Sequence, residues 1–337
     1  MTIPLPWRPR GARRLELLVL LVSDRCDQKC AHCQIWMGHA GGAPSLSLDE
    51  RLGVVEEALA AGARGFLLTG GEPLLSPQIW PLGRRIKAAG AALMLATNGM
   101  LLERYAEEVA DLFDEVYLSL DGASASTHDA VRGVAAFARL AAGVAALRQA
   151  STRVRLVARS TLHAGNLHEF LRIVGAARRL GVQHVSFLPI DASSTAFGGD
   201  ASARRALLPS LEQVEAFEAA VDGFEASAEA ADGFVLEPAS KLRRLARHLR
   251  ASAGETGFER PECDAPLWSS VVEADGALRP CFFHEPVGNV RAGLAGLRSS
   301  EAYREALARI DAPNPVCERC VCPKRGSPAR VPRFGLH

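Results

Sequence analysis

The sequence predicts an α/β protein: a parallel sheet curled into a partial (β/α)6 barrel, followed by a small cysteine-rich module. Three features predict it. Apolar runs alternate with amphipathic stretches six times between about residues 15 and 190, residues of unusual chemistry stand at the ends of the first four runs, and five of the eight cysteines fall from Cys263 onward. Nearly continuous Val, Ile and Leu suits strands buried on both faces, and right-handed crossovers between such strands give a parallel sheet. Six units are two short of the usual closed eight-stranded barrel, whose chemistry collects at the C-terminal ends of the strands.

The first apolar run, Leu15 to Val22, follows Arg13 and Arg14 and resembles a secretory signal in outline. Glu16 interrupts it, no small-residue cleavage site follows, and it is far shorter than the roughly 18–20 residues of a membrane span. It is therefore a strand, and without an export signal eight cysteines imply a cytoplasmic, reducing setting and metal ligation. Ser47 is placed to cap a helix over 47–61. Strand 65–69 ends in Gly70-Gly71-Glu72-Pro73, and a helix runs to about residue 89. Strand 91–96 ends in Thr97-Asn98-Gly99, a helix spans 102–113, and strand 115–120 ends in Asp121-Gly122. A helix over 124–150, broken near Gly133, precedes strand 153–161; helix 166–180 precedes strand 183–190.

From 191 to 209 the chain turns to Ser, Gly, Ala and Asp and reads as a loop, and 209–231 as a charged amphipathic helix. Lys241 to His248 forms a basic helical face, expected to be solvated surface rather than a phosphate or partner site. Segments 269–273 and 277–279 flank Asp275-Gly276 and predict a hairpin that brings Cys263 near Cys281. The expected division is an N-terminal extension (1–14), the barrel (15–235), a linker (236–260) and the cysteine-rich module (261–337). A hydrophobic content of 48% with 23% charged residues is that of a globular protein, and a formal charge of +1 gives no footprint for nucleic acid.

After the first strand stand Cys26, Cys30 and Cys33, spaced C-x3-C-x2-C. Three thiolates on one loop leave a four-coordinate or cubic centre one ligand short, and soft thiolates select iron–sulfur clusters or zinc. This stretch resembles the cluster loop of the radical S-adenosylmethionine (SAM) enzymes. The resemblance implies that Cys26, Cys30 and Cys33 hold a [4Fe–4S] cluster whose open iron chelates SAM, that the cluster's electron releases a 5′-deoxyadenosyl radical, and that a flavodoxin- or ferredoxin-type donor supplies the electron. His32 stands where the family usually has another aromatic residue.

By the same resemblance Gly70, Gly71 and Glu72 contact the methionine amino group of SAM, and Ser119 and Asp121 contact its ribose and carboxylate. Ser119 and Asp121 are two apart on a strand and so share a face; an Asp-Gly turn is the plainer account of Asp121. Thr97, Asn98 and Arg159 are further candidates for the SAM pocket, with structural roles as the alternative. Arg132-Gly133 matches a helix break of the peptide- and small-molecule-modifying branch. Cys263, Cys281 and the pair Cys317/Cys320 resemble the family's auxiliary-cluster domain in its shorter, twitch form rather than the seven-cysteine SPASM form. The resemblance assigns these four to one auxiliary [4Fe–4S] cluster, with Cys322 spare or exchanging with Cys320; a four-cysteine zinc knuckle fits the spacing equally.

The expectation is thus a radical SAM enzyme of oxidoreductase or maturase type that abstracts a hydrogen atom from a peptide or protein side chain. The alternative is a dehydrogenase or decarboxylase acting on a small biosynthetic molecule such as a sugar, aminocyclitol or tetrapyrrole. A non-catalytic metal-binding module stands as the alternative of another class.

Overall fold

The computed structural model describes residues 14–37, 44–199 and 201–324. The expected N-terminal extension, the Gly-rich connection at 38–44 and the end of the C-terminal module lie largely outside the described residues.

Six strands, β1 (Leu17–Ser23), β2 (Gly65–Gly70), β3 (Ala92–Thr97), β4 (Glu115–Ser119), β5 (Arg155–Leu162) and β6 (His184–Pro189), lie side by side in chain order and pair in parallel. The crossovers are α1 (Leu48–Ala60), α2 (Ile79–Ala88), α3 (Ala106–Leu112), α4 (Ala125–Arg132), α5 (Phe137–Ala150) and α6 (Phe170–Leu180). Leu18, Leu20, Phe66, Leu68, Leu93, Leu95, Val116 and Leu118 are fully buried beneath these helices. The pleat sends the alternate residues to the inner face, where Thr69, Ala96, Ser119 and Arg159 are only partly covered.

Ser47 caps α1 as expected: its hydroxyl accepts from Glu50 N–H while the Glu50 carboxylate accepts from Ser47 N–H. The helix over 124–150 is broken near Gly133 as expected: Gly133 takes φ +70° and ends α4, and α5 starts at Phe137. The helix expected from 102 starts at Ala106, after a turn.

Beyond β6, a loop leads into α7 (Ala201–Arg205) and α8 (Leu211–Glu225), and the chain at Phe234–Leu236 bonds back onto Val185 of β6 before α9 (Ala239–Ser252). The basic face expected to be solvated is divided: Arg243 and Arg247 pair with surface carboxylates, whereas His248 is buried and Lys241 and Arg244 are half-buried. Leu242, Leu245, Ala246 and Leu249 seat the helix on the core, and that seating turns its other basic residues inward.

After α10 (Ala265–Trp268), β7 (Ser269–Val272) adds in parallel to the free edge of β1. The predicted hairpin continues the sheet as β8 (Ala277–Arg279), with Gly276 at φ +92°, and β9 (Gly288–Asn289) follows. The result is one nine-stranded sheet, closed off by α11 (Leu294–Ser299), α12 (Glu301–Asp311) and α13 (Pro315–Glu318). Buried Arg51 on α1 ties the segment before α1 to the β7–β8 turn, donating to the carbonyls of Leu46 and Ala274.

Candidate active site and metal centres

The loop after β1 is held from three sides by backbone hydrogen bonds. Gly71 and Glu72 N–H donate to the carbonyls of Ser23 (2.7 Å) and Arg25 (2.8 Å). Lys29 and Ala31 N–H donate to the carbonyls of Arg132 (3.1 Å) and Val131 (3.0 Å) at the end of α4, and Gln34 N–H to Phe197 (2.7 Å). The contacts are too close for side chains: a Cβ on Gly71 would lie 2.2 Å from the Arg25 oxygen, and one on Gly133 2.5 Å from the Lys29 oxygen. Gly70-Gly71-Glu72 and Arg132-Gly133 are therefore the two jaws of a clamp on the cysteine loop.

The candidate SAM residues take definite places around that clamp. Glu72 is fully buried; its Oε1 accepts from Thr97 Oγ1 (2.8 Å) and Leu74 N–H (3.0 Å), and its Oε2 from Asn98 N–H (2.8 Å). Burial pushes its carboxyl up to about 7 against the pull of those donors. Asn98 Nδ2 donates to Asp27 Oδ1 (2.7 Å) and lies 3.7 Å from Cys26 Sγ, so Thr97 and Asn98 tie the end of β3 to the cysteine loop. Asp121 is also committed: it pairs with Arg132 at 2.5 Å and accepts from Thr161 N–H at 2.7 Å. Ser119 and Arg159 are partners in the β4–β5 register on the inner face, with Arg159 over the Tyr117 ring at 5.1 Å and 3.4 Å from Ser186 Oγ.

Around the thiols the donors are suited to anionic sulfur. Cys26 Sγ receives Gln28 N–H at 3.5 Å, and Cys30 Sγ receives the Arg132 Nη1 at 3.6 Å. Burial raises the free thiols of Cys26 to about 12 and Cys33 to about 11, so a metal bound here displaces their protons. This donor set, three thiols on one clamped loop beside a buried guanidinium, fits an electron-rich cluster. His32 lies within the same group: its Nε2 is 3.9 Å from Asp121 Oδ2 and its ring centroid 6.0 Å from that of His163.

Cys263, Cys281, Cys317 and Cys320 line one cavity of about 320 Å³, together with Phe283 and His284. Lys324 N–H points to Cys263 Sγ at 3.4 Å, and His284 Nε2 stands 3.3 Å from Cys317 Sγ. Among the described residues no three Cys, His, Asp or Glu side chains converge tightly enough to hold a single metal ion. The thiols of four cysteines around a shared cavity suit an iron–sulfur cluster or zinc alike. Cys322 is not part of that lining; its thiol bonds to Cys320 and interacts with Lys324, Arg159 and Lys241. The hydrogen bond to Cys320 holds the Cys322 thiol below the ordinary thiol range.

Several residues of the site carry no signature in the sequence. Arg132 was legible only as a helix break; its contacts to Asp121 and Cys30 depend on how α4 crosses the loop. Arg244 on α9 donates to the Cys320 carbonyl at 3.3 Å. Arg204, fully buried, donates to the carbonyls of Asp191, Ser194 and Gly198 and so shapes the loop whose Phe197 packs on Phe282 beside Cys281.

Known proteins resemble the chain in the same regions. The Radical SAM superfamily model matches residues 20–175. Among curated relatives, the AdoMet-dependent heme synthase of Methanosarcina barkeri is 34% identical over 168 residues, 48% of each chain. The GTP 3′,8-cyclase of Pseudomonas putida is 33% identical over 184 residues, 53% of this chain and 55% of that one. The chain thus spans about half the length of these relatives. Among solved structures, Streptococcus suis SuiB bound to precursor peptide SuiA has a TM-score of 0.67 at 15% identity, covering 93% of this chain and 72% of that one. Native anSMEcpe with bound AdoMet has a TM-score of 0.62 at 18% identity, covering 90% and 86%. At those identities the likeness is one of fold. The cysteine loop, its Gly-Gly-Glu jaw and strands β2–β5 all fall in the matched segment, which β1 enters at Leu20.

Proposed function

We propose that the protein is a radical SAM enzyme with two iron–sulfur centres, and that its substrate lies on the inner face of the sheet. The observation that carries this is the pair of separate thiol sets: three on the clamped loop after β1, and four around one cavity in the C-terminal segment. Cys26, Cys30 and Cys33 would hold a [4Fe–4S] cluster with SAM, and Cys263, Cys281, Cys317 and Cys320 an auxiliary [4Fe–4S] cluster in a twitch-like module at 261–337. When bound, the first cluster and SAM supply a one-electron cleavage that yields a 5′-deoxyadenosyl radical able to take a hydrogen atom from substrate.

The chain's own residues have three tasks. The Gly-Gly-Glu and Arg-Gly jaws fix the loop; Arg132 balances thiolate charge at Cys30; and the loop shaped by Arg204 covers the space between loop and C-terminal cysteines and excludes water. Gly70 and Gly71 remain the proposed backbone contacts to SAM, with Ser119 and Arg159 its partners on β4 and β5. Glu72, Thr97, Asn98 and Asp121 act on SAM through the loop they hold.

A small biosynthetic molecule is favoured as substrate, because the relatives above 30% identity are named for heme and GTP chemistry. A peptide remains the second reading, supported by the fold-level likeness to SuiB and anSMEcpe. Anaerobic, dithionite-dependent release of 5′-deoxyadenosine from SAM tests the enzyme assignment. No release from cluster-loaded protein, with or without candidate substrates, would overturn it.

A further inference from the structure

Gln28 stands between two of the loop cysteines, and its side chain takes no part in the clamp. It is 1% exposed, although a glutamine on a loop ordinarily keeps its amide in water. Its backbone N–H donates to Cys26 Sγ at 3.5 Å, which roots the side chain beside the first thiol. Its Oε1 accepts from Cys30 Sγ at 3.6 Å, and the same sulfur receives Arg132 Nη1 at 3.6 Å. Gln28 Nε2 and Arg132 Nε are both buried without a hydrogen-bond partner among the described residues. Buried donors are rarely left unpaired, so two residues that share one thiol and each keep an idle N–H mark a place short of acceptors.

We propose that Gln28 is a positioning residue for the loop cluster: once Cys30 ligates iron, the side-chain amide turns over and its Nε2 donates to Cys30 Sγ. This rests on the cluster assignment made above. A sulfur bound to iron carries no proton, so the bond from the Cys30 thiol to Oε1 has no counterpart in the loaded loop. Left unturned, the amide would hold an oxygen lone pair against an anionic sulfur while its own N–H groups stay unpaired. A half-turn about the last side-chain bond exchanges oxygen and nitrogen without changing the outline of the amide, so the packing that buries Gln28 admits it. The turn relieves the repulsion and gives a buried donor its acceptor. An under-satisfied carbonyl oxygen, which it leaves behind, is commoner in protein interiors than an orphaned N–H. Hydrogen bonds to the sulfurs of a cluster help set its potential, so Gln28 and Arg132 would act together on one thiolate.

The test is an EPR-monitored redox titration of anaerobically reconstituted wild type, Gln28→Met and Gln28→Leu. The loop-cluster signal is the one missing from the Cys26/Cys30/Cys33→Ala triple variant. Losing the donor should shift the one-electron equilibrium of that signal about tenfold, a midpoint potential lower by about 59 mV, with iron content retained. The reduced wild-type signal should also carry a hyperfine coupling that changes on isotopic labelling of glutamine side-chain nitrogen, and both variants should lack it. Circular dichroism and iron content identify a variant that has failed to fold or to load, and the other then decides. If neither loads, the wild-type coupling decides, because Gln34, the other glutamine of this segment, has its amide against Gly199. Equal potentials in loaded variants, or no coupling in the wild type, overturns the proposal, as does iron lost at an unchanged potential, which is a structural role. Loaded wild type that cleaves SAM while the variants keep its potential contradicts Gln28 alone. Wild type that takes up no cluster on the loop, or holds zinc there, contradicts the enzyme assignment and this proposal with it.

Discussion

Arg132 Nη1 lies 3.6 Å from Cys30 Sγ while its Nη2 pairs with Asp121, so one buried guanidinium joins the cysteine loop to the end of β4. A cation at a cluster thiolate favours the reduced, more negative state. Arg132→Met should therefore lower the midpoint potential of the loop cluster by on the order of 60 mV, a tenfold change in a one-electron equilibrium. Arg132→Lys should lose less. An EPR-monitored redox titration reads the difference, and equal potentials in all three proteins would remove the electrostatic role.

Gly133 combines φ +70° with a neighbour 2.5 Å from where its Cβ would lie. Gly133→Ala should both strain the backbone and push Lys29 away, costing roughly 1–3 kcal/mol. Gly254, at φ +83° with open space around its Cβ, provides the control. Gly254→Ala shares the strain without the clash, so iron lost from the loop cluster in Gly133→Ala alone isolates the clamp.

Cys320 lines the cavity with Cys263, Cys281 and Cys317, whereas Cys322 faces Lys324, Arg159 and Lys241. Cys320→Ser should cost the auxiliary cluster, about half of the bound iron, and Cys322→Ser should retain it. The reverse pattern in an iron assay would exchange their roles.

His128 and His248 are buried, and desolvation lowers each imidazole from 6.5 to about 4. Both pKa values are depressed on folding, so the unfolded chain binds more protons between pH 6.5 and 4. Stability should be fully present above pH 6.5 and fall as the pH drops through that window, by about 1.4 kcal/mol per pH unit for each proton. His248→Gln should flatten the slope by about one proton, measured by urea denaturation across the window. An unchanged slope would mean that the His248 ring is charged or solvated in the folded protein.

The strands were legible because each is a short apolar run ending in Gly, Asn or Asp, and the parallel order follows from the helices between them. The grouping of Cys26, Cys30 and Cys33 on one loop after the first strand was legible from their spacing. The roles of Glu72, Thr97, Asn98 and Asp121 were not: a polar residue at a strand end looks alike whether it faces a ligand or a neighbouring loop. Only the crossing of α4 over the cysteine loop reveals that Asp121 belongs to Arg132. Likewise α9 reads as a surface helix because its charges outnumber its leucines. Yet Leu242, Leu245 and Leu249 form the stripe that seats it and turns Lys241 and Arg244 inward. The continuation of the barrel sheet into β7 was hidden, since a four-residue strand carries no mark of which edge it will join.

The central claim is that two iron–sulfur centres are built by two independent thiol sets. Its most direct test is iron and sulfide content of anaerobically reconstituted wild type beside a Cys26/Cys30/Cys33→Ala triple variant, each assayed for 5′-deoxyadenosine. The account predicts about eight irons falling to about four, with SAM cleavage abolished in the variant. About four irons in the wild type that vanish in the variant, with zinc remaining, would contradict it and leave the C-terminal cysteines a structural knuckle.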